Sequence, residues 1–107
     1  MSEAFSQLAH VVPVHCLYLG SRDGDPWDRE DRNAVIREAA GFFESFTINE
    51  ADGYYEGRPV PTLILRIGTD NTDRVTRLAD VLGRITQQRE IGLEVNGFYG
   101  IVAINSD

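Results

Sequence analysis

Lysine is missing from this chain of 107 residues, whose ten basic side chains are all arginines. Without a lysine amine there is no Schiff-base chemistry and no lysine clamp for phosphate. Cysteine is nearly missing as well. Cys16 stands alone, so no intrachain disulfide can form, which fits a reducing compartment. No apolar run approaches the ~20 residues that a membrane span needs. The opening segment MSEAFSQLAH carries an acid and no basic region of the signal-peptide kind. The expectation is a cytoplasmic protein without a membrane partner.

Positive charge is also short: the net charge is −7. That balance argues against direct nucleic-acid binding, whose affinity rests on neutralising phosphates. Loops that cradle phosphate are absent too, since GSRDGD has neither the Lys-Ser/Thr of a P-loop nor a dinucleotide fingerprint. His10, His15 and Cys16 are the only soft metal ligands and have no zinc spacing. DGDPWD gathers Asp23, Asp25 and Asp28 but lacks the glycine and distal glutamate of a calcium loop. No metal site, cofactor or catalytic constellation is assigned from these residues.

What is present describes one ordinary globular domain. The apolar fraction of 42% is enough for a single core, so residues 1–107 form one unit with 1–10 as a weakly patterned lead-in. VVPVHCLYLG alternates as a strand over 11–20, with Val14, Cys16 and Tyr18 on one face and His15, Leu17 and Leu19 on the other. Apolar residues on both faces predict a central strand.

Asp25 as N-cap and Pro26 as first helical residue then open a helix running to about Phe43. Its stripe is Trp27, Ala34, Val35, Ala39, Phe42 and Phe43. SFTINEADGYYEG is extended, and Gly53 marks a bulge or a close backbone approach. EGRP turns the chain into the strand VPTLILRI. Pro59 and Pro61 near its start suit an edge or a strand beginning.

Asn71 or Thr72 caps a second helix whose stripe is Val75, Leu78, Ala79, Leu82 and Ile85. A final hairpin turns at Asn96-Gly97, the strongest two-residue turn signal. The order β-α-β-β-α-β-β predicts an α+β, ferredoxin-like sandwich. Its antiparallel sheet carries both helices on one face. The other face is left bare, which predicts a homodimer or higher homo-oligomer.

The segments LYLGSRDG, FFESFTINEADGYYEGRP, TLILRI and LGRITQQREIGLEVNGFYGIV together resemble small bacterial and phage proteins with a ferredoxin-like core. In these, one helix leads into an F-T-hydrophobic strand and another passes through a Gln-x-x-hydrophobic step into the last strands. The resemblance implies the fold and no catalytic residue.

Tyrosine and arginine around the central hairpin carry the functional expectation. Tyr54 or Tyr55 can stack on a base while Arg22, Arg58 or Arg66 pairs with an anionic group such as that of a nucleotide. Strand geometry places the two tyrosines on opposite faces, so one is expected in the core and one free. The leading expectation is therefore a ligand- or protein-binding oligomer with its site on the sheet face or at a subunit junction. Two alternatives stand beside it. One is an acidic phage-type counter-defence inhibitor that blocks a host protein or sequesters a nucleotide signal. The other is a dimeric hydrolase or isomerase using His15 or Asp23.

Overall fold

The computed structural model describes residues 11–105, and the lead-in expected over 1–10 lies outside them. The elements follow the expected order: β1 (Val14–Gly20), α1 (Arg29–Phe42), β2 (Thr47–Tyr55), β3 (Arg58–Gly68), α2 (Thr72–Ile85), β4 (Glu90–Val95) and β5 (Phe98–Ala103). The strands make one sheet in the order β2-β3-β1-β4-β5, antiparallel at every junction. This is the α+β, ferredoxin-like arrangement, with β5 added outside β4 by the last hairpin.

β1 lies between β3 and β4, which is why its sequence is apolar on both faces. Leu17 and Leu19 of β1, Leu63, Leu65 and Ile67 of β3, and Ile91 of β4 meet the helices and are fully buried. Val35 and Ala39 of α1, with Val75, Leu78, Ala79 and Leu82 of α2, close the core from above. Each buried Leu or Ile stabilises the fold by roughly 1.5–3 kcal/mol. Burying one face only is what the period-two alternation of β1 and β3 provides.

α1 starts later than its proline signals. Asp28, not Asp25, is the N-cap: its extended backbone (ψ 168°) leaves the Oδ1 free to accept the Asp31 N–H at 2.8 Å. Trp27 is held ahead of the helix, its indole N–H donating to the Pro61 carbonyl at 3.1 Å. That anchor keeps the chain non-helical through Pro26. α1 has no basic residue in its last turn, and α2 supplies one. Arg74 Nε donates to the Phe42 carbonyl at 2.7 Å, and its guanidinium lies 5.8 Å from the centroids of both the Phe42 and Phe43 rings.

α2 is capped by Asn71, whose side chain accepts the Arg74 N–H at 3.0 Å. Ile85, expected in the buried stripe, is 42% exposed. Gly83 takes the buried place because Ile104 packs where its β-carbon would be.

The β2–β3 register runs unbroken from Thr47↔Arg66 to Tyr55↔Arg58, so Gly53 makes no bulge. Its alternative role holds: a β-carbon there would collide with the Thr62 side chain and the Val60 carbonyl. The hairpin turns at Glu56 (φ 50°) and Gly57 (φ 77°), while Arg58 and Pro59 already belong to β3. The second hairpin turns at Asn96 (φ 54°) and Gly97 (φ 78°), as its sequence predicts.

The two prolines of β3 have a simple explanation. β1 pairs with β3 only as far as Gly20↔Thr62. Pro61, whose carbonyl accepts the Ser21 N–H at 2.8 Å, faces the β1 side just where β1 has ended. No ladder donor is lost there.

Candidate functional site

The sheet face turned away from the helices is open. Register places Tyr18, Ile64, Gly92 and Ile101 in one row across β1, β3, β4 and β5. Above this row lies a concavity of about 610 Å³. Its walls come from the ends of β2 and β3 (Tyr54, Tyr55, Thr62), the β1–α1 loop (Arg22) and β4–β5 (Glu90, Tyr99).

Two glycines shape its floor. Gly92 carries no β-carbon where the phenol end of Tyr99 lies across β4, and Gly53 leaves room for the Thr62 hydroxyl. Thr62 is thereby fixed, donating to the Val60 carbonyl at 2.7 Å. Gln88 closes the end of the concavity. Its side-chain amide donates to the Gly20 carbonyl, tying the connection after α2 to the end of β1.

Tyr18 is the most constrained group on this face. Its hydroxyl donates to Glu94 Oε1 at 2.6 Å, and its ring meets Tyr99 edge to face, 5.9 Å between centroids. Donation to Glu94, with burial adding to it, pushes the phenol up to about 12. Tyr18 therefore stays protonated at neutral pH and serves as an oriented aromatic donor, not as a base. Among the lining residues the charges are Arg22 against Asp52 and Glu90. Arg22 approaches Asp23 at 3.7 Å in solvent.

The sequence-predicted residues divide. Tyr54, Tyr55 and Arg22 come together on the concavity. The expectation that one tyrosine enters the core is overturned: Tyr54 and Tyr55 are 71% and 69% exposed. They end an edge strand where it runs past β1, and there the sheet has no helix to cover them. Arg66 lies farther along the open face, lining a separate hollow with Cys16, Tyr18 and Glu94. Arg58 pairs across from Tyr55 at the hairpin base and does not line the concavity.

His15 and Asp23 are far apart in character. His15 is fully buried on the helix side, Nε2 2.9 Å from the Thr72 hydroxyl. Asp23 is exposed and lines a second hollow of about 370 Å³, beside Asp25, Trp27, Asp28 and Gln87. Among the described residues, no three His, Cys, Asp or Glu side chains gather as a metal site. No described helix is long and apolar enough to cross a membrane.

Tyr18, Glu94 and Gln88 were not singled out by sequence reasoning. Alternation in LYL does place Tyr18 opposite Leu17 and Leu19. Its meeting with Tyr99 and Glu94 depends on the β1–β4 and β4–β5 registers, which no local pattern encodes.

No family model matches this chain, and no curated protein matches it. Among solved structures it is similar to a phage SAM lyase in its apo state, with a TM-score of 0.63 and 16% sequence identity. The match covers 88% of this chain and 90% of that one. At this identity the likeness shows a shared fold with a small phage protein.

Proposed function

We propose that this protein binds a small nucleoside-bearing molecule in the concavity of its open sheet face, with S-adenosylmethionine as the first candidate. The observation that carries this is the concavity itself: about 610 Å³, walled by Tyr18, Tyr54, Tyr55 and Tyr99, with Arg22 at its rim. That volume suits a ligand of nucleoside size. Aromatic walls suit the flat face of a base, and Arg22 suits a carboxylate or phosphate. The fold shared with a phage SAM lyase supports the choice of candidate. A homodimer or higher homo-oligomer covering part of this face belongs to the same reading, since Val14, Tyr55 and Ile101 remain exposed around it.

The test is isothermal titration of the purified protein with S-adenosylmethionine, followed by chromatography of the ligand and native mass spectrometry of the complex. Saturable binding weakened at least tenfold by Arg22→Ala supports the site. Wild-type protein that shows no saturable binding sinks the ligand. Ligand recovered intact identifies a binding protein, and conversion to products identifies an enzyme.

The phage origin of the similar structure favours one second reading. Here the chain is a phage-type counter-defence protein that acts by withholding a host nucleotide-bearing metabolite or by blocking a host protein. Expression in a bacterium with an intact restriction system, followed by phage plating, tests it. Plating efficiency unchanged by the protein would remove this reading.

A further inference from the structure

The ligand chemistry of the concavity can be taken further, on the reading that it is the binding site. Three observations bear on the sign of the ligand's charge. Its lining holds one cation, Arg22, and two anions, Asp52 and Glu90, and among the described residues neither acid forms an ion pair. Tyr18 and Tyr99 make an aromatic corner, rings inclined by 61° with centroids 5.9 Å apart. Behind that corner the Glu94 carboxylate accepts the Tyr18 hydroxyl proton at 2.6 Å. A carboxylate bonded to a phenol hydroxyl pushes electron density onto the ring, and an electron-rich ring attracts a cation more strongly. Arg66 shares a hollow with Glu94 yet forms no ion pair with it, so Glu94 acts on Tyr18.

We infer that the Tyr18–Tyr99 corner, with Glu90 beside it, is a cation subsite that selects ligands bearing an onium centre, a sulfonium or a substituted ammonium. Such a centre is large and weakly hydrated. It gains from two aromatic rings and from nearby carboxylates without forming hydrogen bonds of its own. A polyanion, by contrast, would meet the Glu90 carboxylate in the same concavity. Tyr18 and Tyr99 are thus specificity-determining residues, and Glu94 is a positioning residue that acts through Tyr18.

S-adenosylmethionine and S-adenosylhomocysteine separate this inference from the reading beneath it. They share the nucleoside and the amino acid, and differ by one methyl group and the positive charge on sulfur. Titrated calorimetrically into the protein, the sulfonium compound is expected to bind about tenfold more tightly. Tyr99→Leu, at an exposed position that the core does not need, should bring the two affinities to within about twofold of each other. Tyr18→Phe keeps the ring but breaks the bond to Glu94, and should reduce the preference part-way. Equal affinities in the wild-type protein, or a preference intact in Tyr99→Leu, overturn the cation subsite alone. Failure of both compounds to bind overturns the nucleoside site and the subsite together.

Discussion

His15 Nε2 lies 2.9 Å from the Thr72 hydroxyl, joining the start of β1 to the first turn of α2, with His15 itself fully buried. His15 Nδ1 makes no hydrogen bond among the described residues. Burial lowers the imidazole below its ordinary value of 6.5, with the Pro13 backbone pulling weakly the other way. The consequence for stability has a definite sign. As pH falls below 6.5 the unfolded chain takes up a proton that the folded chain refuses, so stability declines. Above that value the contribution is complete. Urea unfolding at pH 7.5 and 5.5 should show a loss in the wild type and a smaller loss in His15→Gln, which retains a polar group facing Thr72. Equal losses in the two proteins would show that His15 does not set this pH dependence.

Asp28 and Asp25 both precede α1, and only Asp28 caps it, through the Asp31 N–H. Replacing Asp28 by Ala should cost about 1 kcal/mol, within the usual range for a lost N-cap. Asp25→Ala should stay within about 0.5 kcal/mol, as exposed positions without special roles do. Thermal unfolding of the two variants separates them, and an equal or larger loss at Asp25 would return the cap to the position that the Asp-Pro pair advertises.

That displaced cap shows where sequence reasoning loses resolution. Element order, the Asn96-Gly97 hairpin and the inward faces of β1 and β3 were legible because period-two alternation and turn chemistry are local. The start of α1 was not, because the Trp27 indole is tied to a carbonyl on β3, 34 residues away. The same limit applies to the site. Tyr54, Tyr55 and Arg22 could be named from composition near a hairpin. Tyr18, Glu94 and Tyr99 become a unit only through pairing across three strands. The two exposed tyrosines corrected the expectation for a related reason: alternation assigns a side chain to a face, but not whether a helix reaches that far.

Arg74 joins the two helices. It reaches from the first turn of α2 to the Phe42 carbonyl and lies close to two aromatic rings at the end of α1. Loss of this charge-assisted bond in Arg74→Ala should destabilise the fold by about 1–2 kcal/mol. Arg74→Lys keeps the charge but not the planar group, and should recover less than half of the loss. Denaturant midpoints measure both. Full recovery by lysine would mean that charge at the helix end is sufficient and that the ring contacts contribute little.

Gly53 and Gly92 both leave space on the open face, but alanine should act differently at each. At Gly53 a methyl group meets the Val60 carbonyl, which is backbone in a paired strand, and the Thr62 hydroxyl that is bonded to it. Neither can retreat cheaply, so Gly53→Ala should destabilise the fold by about 1–3 kcal/mol. At Gly92 the obstacle is the far end of the Tyr99 side chain, which is 63% exposed and free to swing outward. Gly92→Ala should therefore change stability by less than about 1 kcal/mol. It should nonetheless break the edge-to-face contact between Tyr99 and Tyr18 and remove one wall of the concavity. Chemical denaturation reads the first effect, and the ring-proton NMR shifts of the two tyrosines read the second. A Gly92→Ala protein with unchanged tyrosine shifts would mean that Tyr99 is not held across β4 in solution, and the shape assigned to the site would have to be redrawn.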